Sequence, residues 1–467
     1  MSHEHTSATP TEHQVRGQFT TKIGFALAAV GSAVGLGNIW KFPYIMGESG
    51  GAAFILVYLI CIALVGIPVL LAEFVIGRHG QTSAVGSFRK IAPGKPWWLN
   101  GLLGIVAAFF ILSFYSAVAG WVLRYAVLGV THGYEGVGAD QFLGFIDSIG
   151  GPVIFQFVVM FLTGAIIFAG IEKGVERVAT WMMPVLVVLL LLVVLRALTL
   201  PGAGAGVAFM FKPDFSKIDG GVILVALGHA FFTLSIGMGA MITYASYVGK
   251  KQNLGTTALT VGAMDTGIAI LAGLAIFPAV FAFGMEPDAG PGLLFIMLPE
   301  LFAQMPLGRA VGIAFFTLVF IAALTSTISI LEPVVTYLVD DLNIGRHVAT
   351  AVSAGIIYVI GIPACLSAHS GGLLGEVKIP FLGGGLSIFD FLDTMSSKFM
   401  LPIGGLITCL FIAIAWNRKA ASQEVVGEGG NPGHPLVSLW YYLTIVVAPL
   451  GVLAVLIYGI RELLNKG

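Results

Sequence analysis

Apolar residues in this chain gather into long runs separated by short polar stretches. The runs lie near residues 22–47, 52–77, 98–128, 152–171, 175–200, 220–248, 256–284, 306–339, 347–367, 396–416 and 438–460. A helix needs roughly 20 apolar residues to cross a bilayer core, and strand-like alternation is absent over most of the length. The pattern predicts eleven membrane-spanning helices. Two polar segments, around Gly133–Gly151 and Pro287–Pro306, are rich in Gly, Pro and acids and read as external loops. Asn417–His434 reads as a short hydrophilic connector.

Two of the runs are poorly suited to an unbroken helix. The first contains Gly31-Ser32-Ala33-Val34-Gly35-Leu36-Gly37-Asn38, and the sixth contains Phe231-Phe232-Thr233-Leu234-Ser235-Ile236-Gly237-Met238-Gly239. Each Gly costs roughly 1 kcal/mol against Ala in a helix interior. In lipid, backbone released from helical pairing survives only where it is enclosed by protein or lines a cavity. The two breaks fall at corresponding positions of two consecutive five-helix halves, 22–200 and 220–416. An offset of five helices inverts the second half relative to the first, and paired broken helices in inverted halves point to a secondary transporter's binding site. Gly31-xxx-Gly35 also fits a helix-packing motif. Packing alone, however, gives no reason for polar Asn38, Thr233 and Ser235 at the same depth.

Composition agrees with the pattern. The chain of 467 residues is 57% hydrophobic and 10% charged, with a mean hydropathy of +0.96. A soluble domain carries roughly 25% charged residues. A net charge of −1 says nothing about partners, and no basic run interleaved with aromatics suggests nucleic acid. Cys61, Cys365 and Cys409 lie far apart in or beside apolar runs and read as packing residues rather than a disulfide or metal set.

Charge in the loops sets the orientation. With the N-terminal segment 1–21 in the cytoplasm, one side receives Arg16, Lys22, Arg78, Arg89, Lys90, Lys95, Lys173, Arg177, Lys250, Lys251, Arg346, Arg418 and Lys419. The other side receives fewer, chiefly Lys212, Lys217, Lys378, Arg461 and Lys466. Positive charge stays inside, so the expected arrangement has the connector 417–437 in the cytoplasm and the tail of 438–467 outside. The segment from Met1 to Gln18 lacks a cleavable-signal pattern, so the first span serves as its own insertion signal.

A break in a helix exposes unpaired N–H groups at one half-helix terminus, suited to a carboxylate, and carbonyls at the other, suited to Na⁺ or an ammonium group. Gly35 and Gly37 leave room for close backbone approach. No Asp occupies the first break, which favours an amino acid that brings its own carboxylate over a bare amine. Asp265 lies in the apolar run Thr256–Gly284, where an unpaired carboxylate would cost several kcal/mol. It is read as a functional carboxylate, with a structurally hydrogen-bonded carboxyl as the alternative.

Gly-Ser-Ala-Val-Gly-Leu-Gly-Asn-Ile-Trp-Lys-Phe-Pro-Tyr, residues 31–44, resembles the first-helix signature of the neurotransmitter:sodium symporter family. The resemblance extends through Pro68-x4-Glu73-x3-Gly77-Arg78, the sixth-span run from Phe231 to Tyr247, and Ala323-Leu324-Thr325-Ser326 in the eighth span. It covers essentially the whole chain. It implies an all-α LeuT-type fold, a 5+5 inverted repeat plus an eleventh helix, with the first and sixth helices unwound at mid-membrane. It also implies Na⁺-coupled amino-acid symport by alternating access in the plasma membrane of a bacterial-type cell, and no enzymatic activity.

Matched position by position, the family's first sodium site implies the Ala33 carbonyl, Asn38, Thr233 and Asp265, together with the substrate carboxylate. The second implies carbonyls of Gly31, Val34 and Ala322 with the hydroxyls of Thr325 and Ser326. Substrate recognition would use the Leu36 and Gly37 amides and the Tyr115 hydroxyl for the carboxylate. Carbonyls of Ala33, Phe232 and Thr233, with Ser235, would take the amine. Ile111, Phe232, Met238, Thr327 and Ile330 would line a pocket of low polarity, which implies a hydrophobic or aromatic L-amino acid. Met238 is adaptable and argues for breadth.

Animal members of the family have a neutral residue at the Asp265 position and bind chloride nearby, so a fixed carboxylate implies chloride-independent transport. Protonation of Asp265 once sodium leaves would allow proton counter-transport. Arg16 and Asp340 resemble the cytoplasmic gate pair, with Phe19 as an aromatic latch. At the external gate Lys41 stands where Arg is common, and Ser396 replaces the acid. Lys lacks the bidentate fork of Arg, so aromatic closure by Tyr115 and Phe232 is expected to carry more of the occlusion. His229 sits where the family usually has Gln and reads as a neutral, hydrogen-bonded imidazole, with pH sensing as the alternative. Glu73 and Glu332 read as neutral structural hydrogen-bonders.

A sodium-independent or proton-coupled exchanger is the runner-up reading, and such carriers often hold a basic residue where Thr325 and Ser326 stand. A channel or a nutrient receptor would differ in showing no saturable counterflow or no uptake.

Overall fold

The computed structural model describes residues 17–286, 292–381 and 384–466. Among the described residues, nine helices are long and apolar enough to cross a membrane, or ten if one bent pair counts as a single span. That pair is α1 (Lys22–Ala33) and α2 (Gly37–Glu48), which meet at 47°. The continuous helices that follow are α3 (Ala52–Gly80), α4 (Trp98–Thr131), α5 (Gly150–Phe168) and α6 (Ile171–Leu198). The sixth apolar run folds as two shorter pieces, α7 (Gly220–Thr233) and α8 (Ala240–Ala245). Then come α9 (Leu254–Ala282), α10 (Gly308–Asp340), α11 (Arg346–Leu366), α12 (Ile388–Ile414) and α13 (Pro435–Arg461). The protein is a multi-pass membrane protein.

Both glycine-rich stretches are breaks in the backbone. At the end of α1, Val34 is extended, with φ −78° and ψ 106°. Between α7 and α8 the chain takes positive φ at Ser235 (+53°), Gly237 (+84°) and Gly239 (+74°). Glycine reaches that region at little steric cost. Ser235 does so against its preference. A Cβ at Gly237 would also run into the backbone of Leu401, so the close approach to α12 requires glycine there.

The membrane helices pack as two groups. In one, α3 packs against α7, α8 and α9, and α1 against α8 and α9. In the other, α4, α5, α10 and α11 pack against one another. The seam between the groups runs where α1 lies against α10, and α12 and α13 flank the assembly.

Several connectors are more ordered than the sequence suggests. Short helices form at Ala84–Ile91, Ala139–Ile146, Ala203–Phe211 and Arg418–Val426. A two-stranded hairpin pairs β1 (Ile379–Phe381) with β2 (Gly384–Leu386). The segment expected as a loop at 287–306 contains an apolar helix, Leu293–Gln304. Its Phe295 stacks on Phe142 at 5.0 Å and meets Trp121, Tyr125 and Trp40 at 5.7–5.9 Å. The apolar run from Leu293 to Met297 buries itself and overrides the flanking Pro and Gly.

On the opposite side, buried Arg78 at the end of α3 donates to the Gln252 carbonyl and to Glu424 Oε2 at 2.9 Å. His79 Nδ1 lies 3.1 Å from Glu424 Oε1. Burial pushes the Glu424 carboxyl up, but these partners outweigh it and hold it below the usual carboxylate range.

A candidate ligand site at two helix breaks

The two breaks face each other across a cavity of about 20 Å³ lined by Ser32, Ala33, Gly37, Ile111, Tyr115, Phe232, Thr233, Ser235, Met238, Ser326 and Ile330. That is room for a water-sized body. A larger ligand enters only if side chains such as Met238 or Phe232 rearrange. The Leu36 N–H donates to the Tyr115 hydroxyl at 3.1 Å, which joins the α1–α2 break to α4. Ser235 Oγ donates to the Ser32 carbonyl at 2.7 Å, which joins one break to the other. Gly35 is required by space, because a Cβ there would overlap the Ser326 hydroxyl and stand 2.9 Å from the Tyr115 oxygen.

Nine of the eleven residues expected to touch substrate line this cavity, and two do not. Leu36 contributes its amide to Tyr115 beside it. Thr327 turns its hydroxyl to Thr163 on α5 at 2.7 Å and to the Leu324 carbonyl at 2.8 Å. Ser326 and Ile330 are four residues apart and share a helix face, whereas Thr327 lies about 100° around α10 from Ser326. Ser32 and Ser326 line the cavity without having been assigned to substrate.

Beside the cavity, Asp265 is fully buried. Its Oδ1 accepts from Asn38 Nδ2 at 2.7 Å and Thr233 Oγ1 at 2.8 Å, and its Oδ2 from the Tyr58 hydroxyl at 3.1 Å. Asn38 Nδ2 also donates to the Asp265 carbonyl at 3.0 Å, while Asn38 Oδ1 accepts the Gly35 N–H at 3.0 Å. The carboxylate is therefore not isolated in the apolar interior. Three donors converge on it, and Tyr58 is one that sequence reasoning did not name.

A second group of oxygens lies at the seam. Thr325 Oγ1 bonds the carbonyls of Ala322 at 3.0 Å and Ile321 at 3.1 Å, and Ser326 Oγ lies 3.5 Å from the Val34 carbonyl. Gly31 packs on Thr325, where an added Cβ would come within 3.3 Å of the Thr325 Cβ. All five residues matched to the second sodium site thus gather around the join of α1 and α10. Hydroxyl and carbonyl oxygens are hard ligands suited to an alkali cation. Among the described residues, no group of three or more His, Cys, Asp or Glu side chains could hold a metal ion.

At the ends of the broken helix, only His229 departs from expectation. At the α2 end, the Lys41 ammonium lies 4.5 Å over the Phe232 ring. Ser396, which replaces the acid of the external gate pair, turns its hydroxyl to the Leu392 carbonyl at 2.6 Å. His229 is buried between the rings of Tyr58 and Phe42 at 5.6 and 5.8 Å. Neither of its ring nitrogens has a hydrogen-bond partner among the described residues, contrary to the hydrogen-bonded reading. At the other end, Arg16 lies outside the described residues, and Asp340 Oδ2 lies 3.4 Å from Thr82 Oγ1. Phe19 donates its N–H to the Tyr247 carbonyl at 3.1 Å and packs on Phe25, Tyr244 and Tyr247.

Of the remaining intramembrane acids, Glu73 accepts the Gly237 N–H at 2.6 Å, a structural bond that holds the α7–α8 break. Glu332 corrects the neutral reading. It pairs with Arg346 Nη2 at 2.6 Å and accepts from the Tyr247 hydroxyl at 2.8 Å, so its charge is matched across α10 and α11. The three cysteines are free and buried.

A profile described as the sodium:neurotransmitter symporter family matches residues 16–135 and 141–466. An uncharacterised sodium-dependent transporter of Bacillus subtilis, YhdH, is 41% identical over 94% of this chain and 96% of its own length. A sodium-dependent transporter of Haemophilus influenzae is 34% identical over 96% and 99%. Among solved structures, MhsT in complex with L-phenylalanine is 46% identical and superposes with a TM-score of 0.87, covering 95% of this chain and all of that one.

Proposed function

The chain belongs to the sodium:neurotransmitter symporter family, and from that premise we propose that it carries hydrophobic and aromatic L-amino acids into the cell with sodium. Members of the family are sodium-coupled transporters, not enzymes. The observation that carries the finer reading is the cavity bounded by both helix breaks, with Tyr115 and the Leu36 amide on one side and apolar Ile111, Phe232, Met238 and Ile330 around it. A zwitterion needs donors for its carboxylate and carbonyls for its amine, and a break supplies both. The low polarity of the remaining wall favours an apolar side chain. The L-phenylalanine held by the related MhsT is in keeping with that substrate class.

In this reading, residues 22–200 and 220–416 are the two inverted repeats. Helices one, two, six and seven rock against three, four, eight and nine. The packing supports it, because α1, α3, α8 and α9 group on one side of the seam and α4, α5, α10 and α11 on the other. One sodium ion is held at Ala33, Asn38, Thr233 and Asp265, and a second at Gly31, Val34, Ala322, Thr325 and Ser326. The Phe19 end of the broken helix faces the cytoplasm and the Lys41 end faces outside.

The test is competition by all twenty amino acids against one labelled substrate in proteoliposomes under an inward Na⁺ gradient. Leucine, isoleucine, methionine, phenylalanine, tyrosine and tryptophan should compete, and collapse of the gradient should stop uptake. Preference for charged or small polar amino acids would overturn the substrate class.

A further inference from the structure

We infer that Glu176 fastens the Phe19 end of α1 and thereby sets how often the cytoplasmic half of the broken helix swings open. It is a positioning residue, and the inference rests on the alternating-access reading above. Glu176 stands in the first turns of α6 and is 5% exposed. Its carboxylate accepts four hydrogen bonds from two consecutive residues. The Thr20 N–H and hydroxyl donate at 2.8 and 2.9 Å, and the Thr21 N–H and hydroxyl at 3.1 and 2.8 Å.

Both threonines sit immediately before α1. Thr21 is its N-cap, and the same hydroxyl that donates to Glu176 accepts the Gly24 N–H at 2.8 Å. A carboxylate at a helix N-terminus is also favoured by the helix dipole. The approach is close enough to require glycine: a Cβ on Gly24 would stand 2.5 Å from the Glu176 carboxyl carbon.

All four donors leave together if the end of α1 moves away from α6. Packing contacts can slide, but hydrogen bonds to a carboxylate are directional and charge-assisted. The fastening is therefore a threshold. While it holds, the seam at Thr325 and Ser326 stays covered from this end. Once it breaks, nothing in the first turn of α1 replaces it, because the cap of that turn is part of the same network.

The experiment uses the full chain with one reporter cysteine, Ala28→Cys, on α1. Alkylation by a membrane-impermeant maleimide is followed from the cytoplasmic face of inside-out vesicles. A second reporter, Val118→Cys on α4, is labelled from outside in right-side-out vesicles. Glu176→Gln should raise the rate at position 28 about tenfold and lower the rate at 118, the shift expected when a few charge-assisted bonds are lost from one of two states. Glu176→Asp should give an intermediate rate. A general structural defect would raise both rates together, and that outcome overturns the inference.

Thr20→Val with Thr21→Val keeps the carboxylate and removes the hydroxyl donors. It should reproduce the shift if Glu176→Gln folds poorly. Rates equal to wild type in either set also overturn the inference. The ratio of variant to wild type in sodium-free buffer decides the role of Glu176 alone. Failure of sodium to protect position 28 in the wild type would instead count against the transport reading.

Discussion

The two oxygen clusters beside the cavity differ in charge and in what they join. The cluster at Asp265 contains a carboxylate and draws on Asn38, Tyr58 and Thr233, and its four residues belong to α2, α3, α7 and α9 on one side of the seam. The cluster at Thr325 and Ser326 has only neutral oxygens, and it bridges the α1 break and α10 across the seam. A cation in the first would tie together helices that already pack in one group and would shape the wall that meets substrate. In the second it would hold the two groups to each other. In the proposed reading the difference would give two sites of the same ion distinct tasks: one would set substrate binding, and the other would hold the seam shut.

The largest effect should come from removing the charged cluster. Asp265→Ala and Asn38→Ala are each expected to abolish Na⁺-dependent binding of labelled amino acid in purified protein. Asp265→Ala also leaves the Thr233 and Tyr58 hydroxyls buried without their acceptor, while Asn38 Nδ2 keeps the backbone carbonyl of residue 265. Each such orphan costs about 1–3 kcal/mol, so folded yield must be measured by gel filtration beside binding. Unchanged sodium dependence in both variants would refute the assignment of the site.

A smaller and different effect should follow at the seam. Thr325→Val with Ser326→Ala removes two hydroxyls from the proposed site and leaves carbonyls in place. Apparent sodium affinity should fall about tenfold, the size expected for losing one or two modest polar contacts. Substrate affinity at saturating sodium should change little. If the double variant instead abolishes binding at all sodium concentrations, the division of labour between the clusters is wrong.

Much of this arrangement was legible in the sequence, for identifiable reasons. The spans announce themselves because lipid demands long apolar runs, and the breaks because Gly31, Gly35, Gly37, Gly237 and Gly239 stand where a helix would not choose them. Asp265 is conspicuous as an acid inside an apolar run. Less legible was anything depending on rotation about a helix or on distant pairing. Thr327 lies next to Ser326 in sequence but faces α5. Glu332 has its cation fourteen residues along, on the next helix. Glu176 meets Thr20 and Thr21 from more than 150 residues away, and no periodicity marks that meeting. The helix Leu293–Gln304 was hidden by its flanking Gly and Pro, although its five-residue apolar core signalled burial.

The smallest expected effect is none at all, and it tests the charge itself. A Na⁺ ion held beside the substrate in a low-dielectric interior is favoured by a negative charge from the protein at that cluster, since an uncompensated ion is costly there. Where the acid of that cluster is replaced by a neutral residue, a co-bound anion can provide the charge. In the proposed reading the Asp265 carboxylate would supply it while sodium is bound, one hydrogen bond from Asn38 and one from Thr233. Replacing chloride by gluconate at constant sodium should therefore leave uptake unchanged. Asp265→Asn keeps the shape but removes the charge, and whatever uptake survives in that variant should become chloride-stimulated. Chloride dependence in the wild type would mean that the Asp265 charge is spent elsewhere. The contrast between a charged and a neutral cluster would then lose its functional meaning.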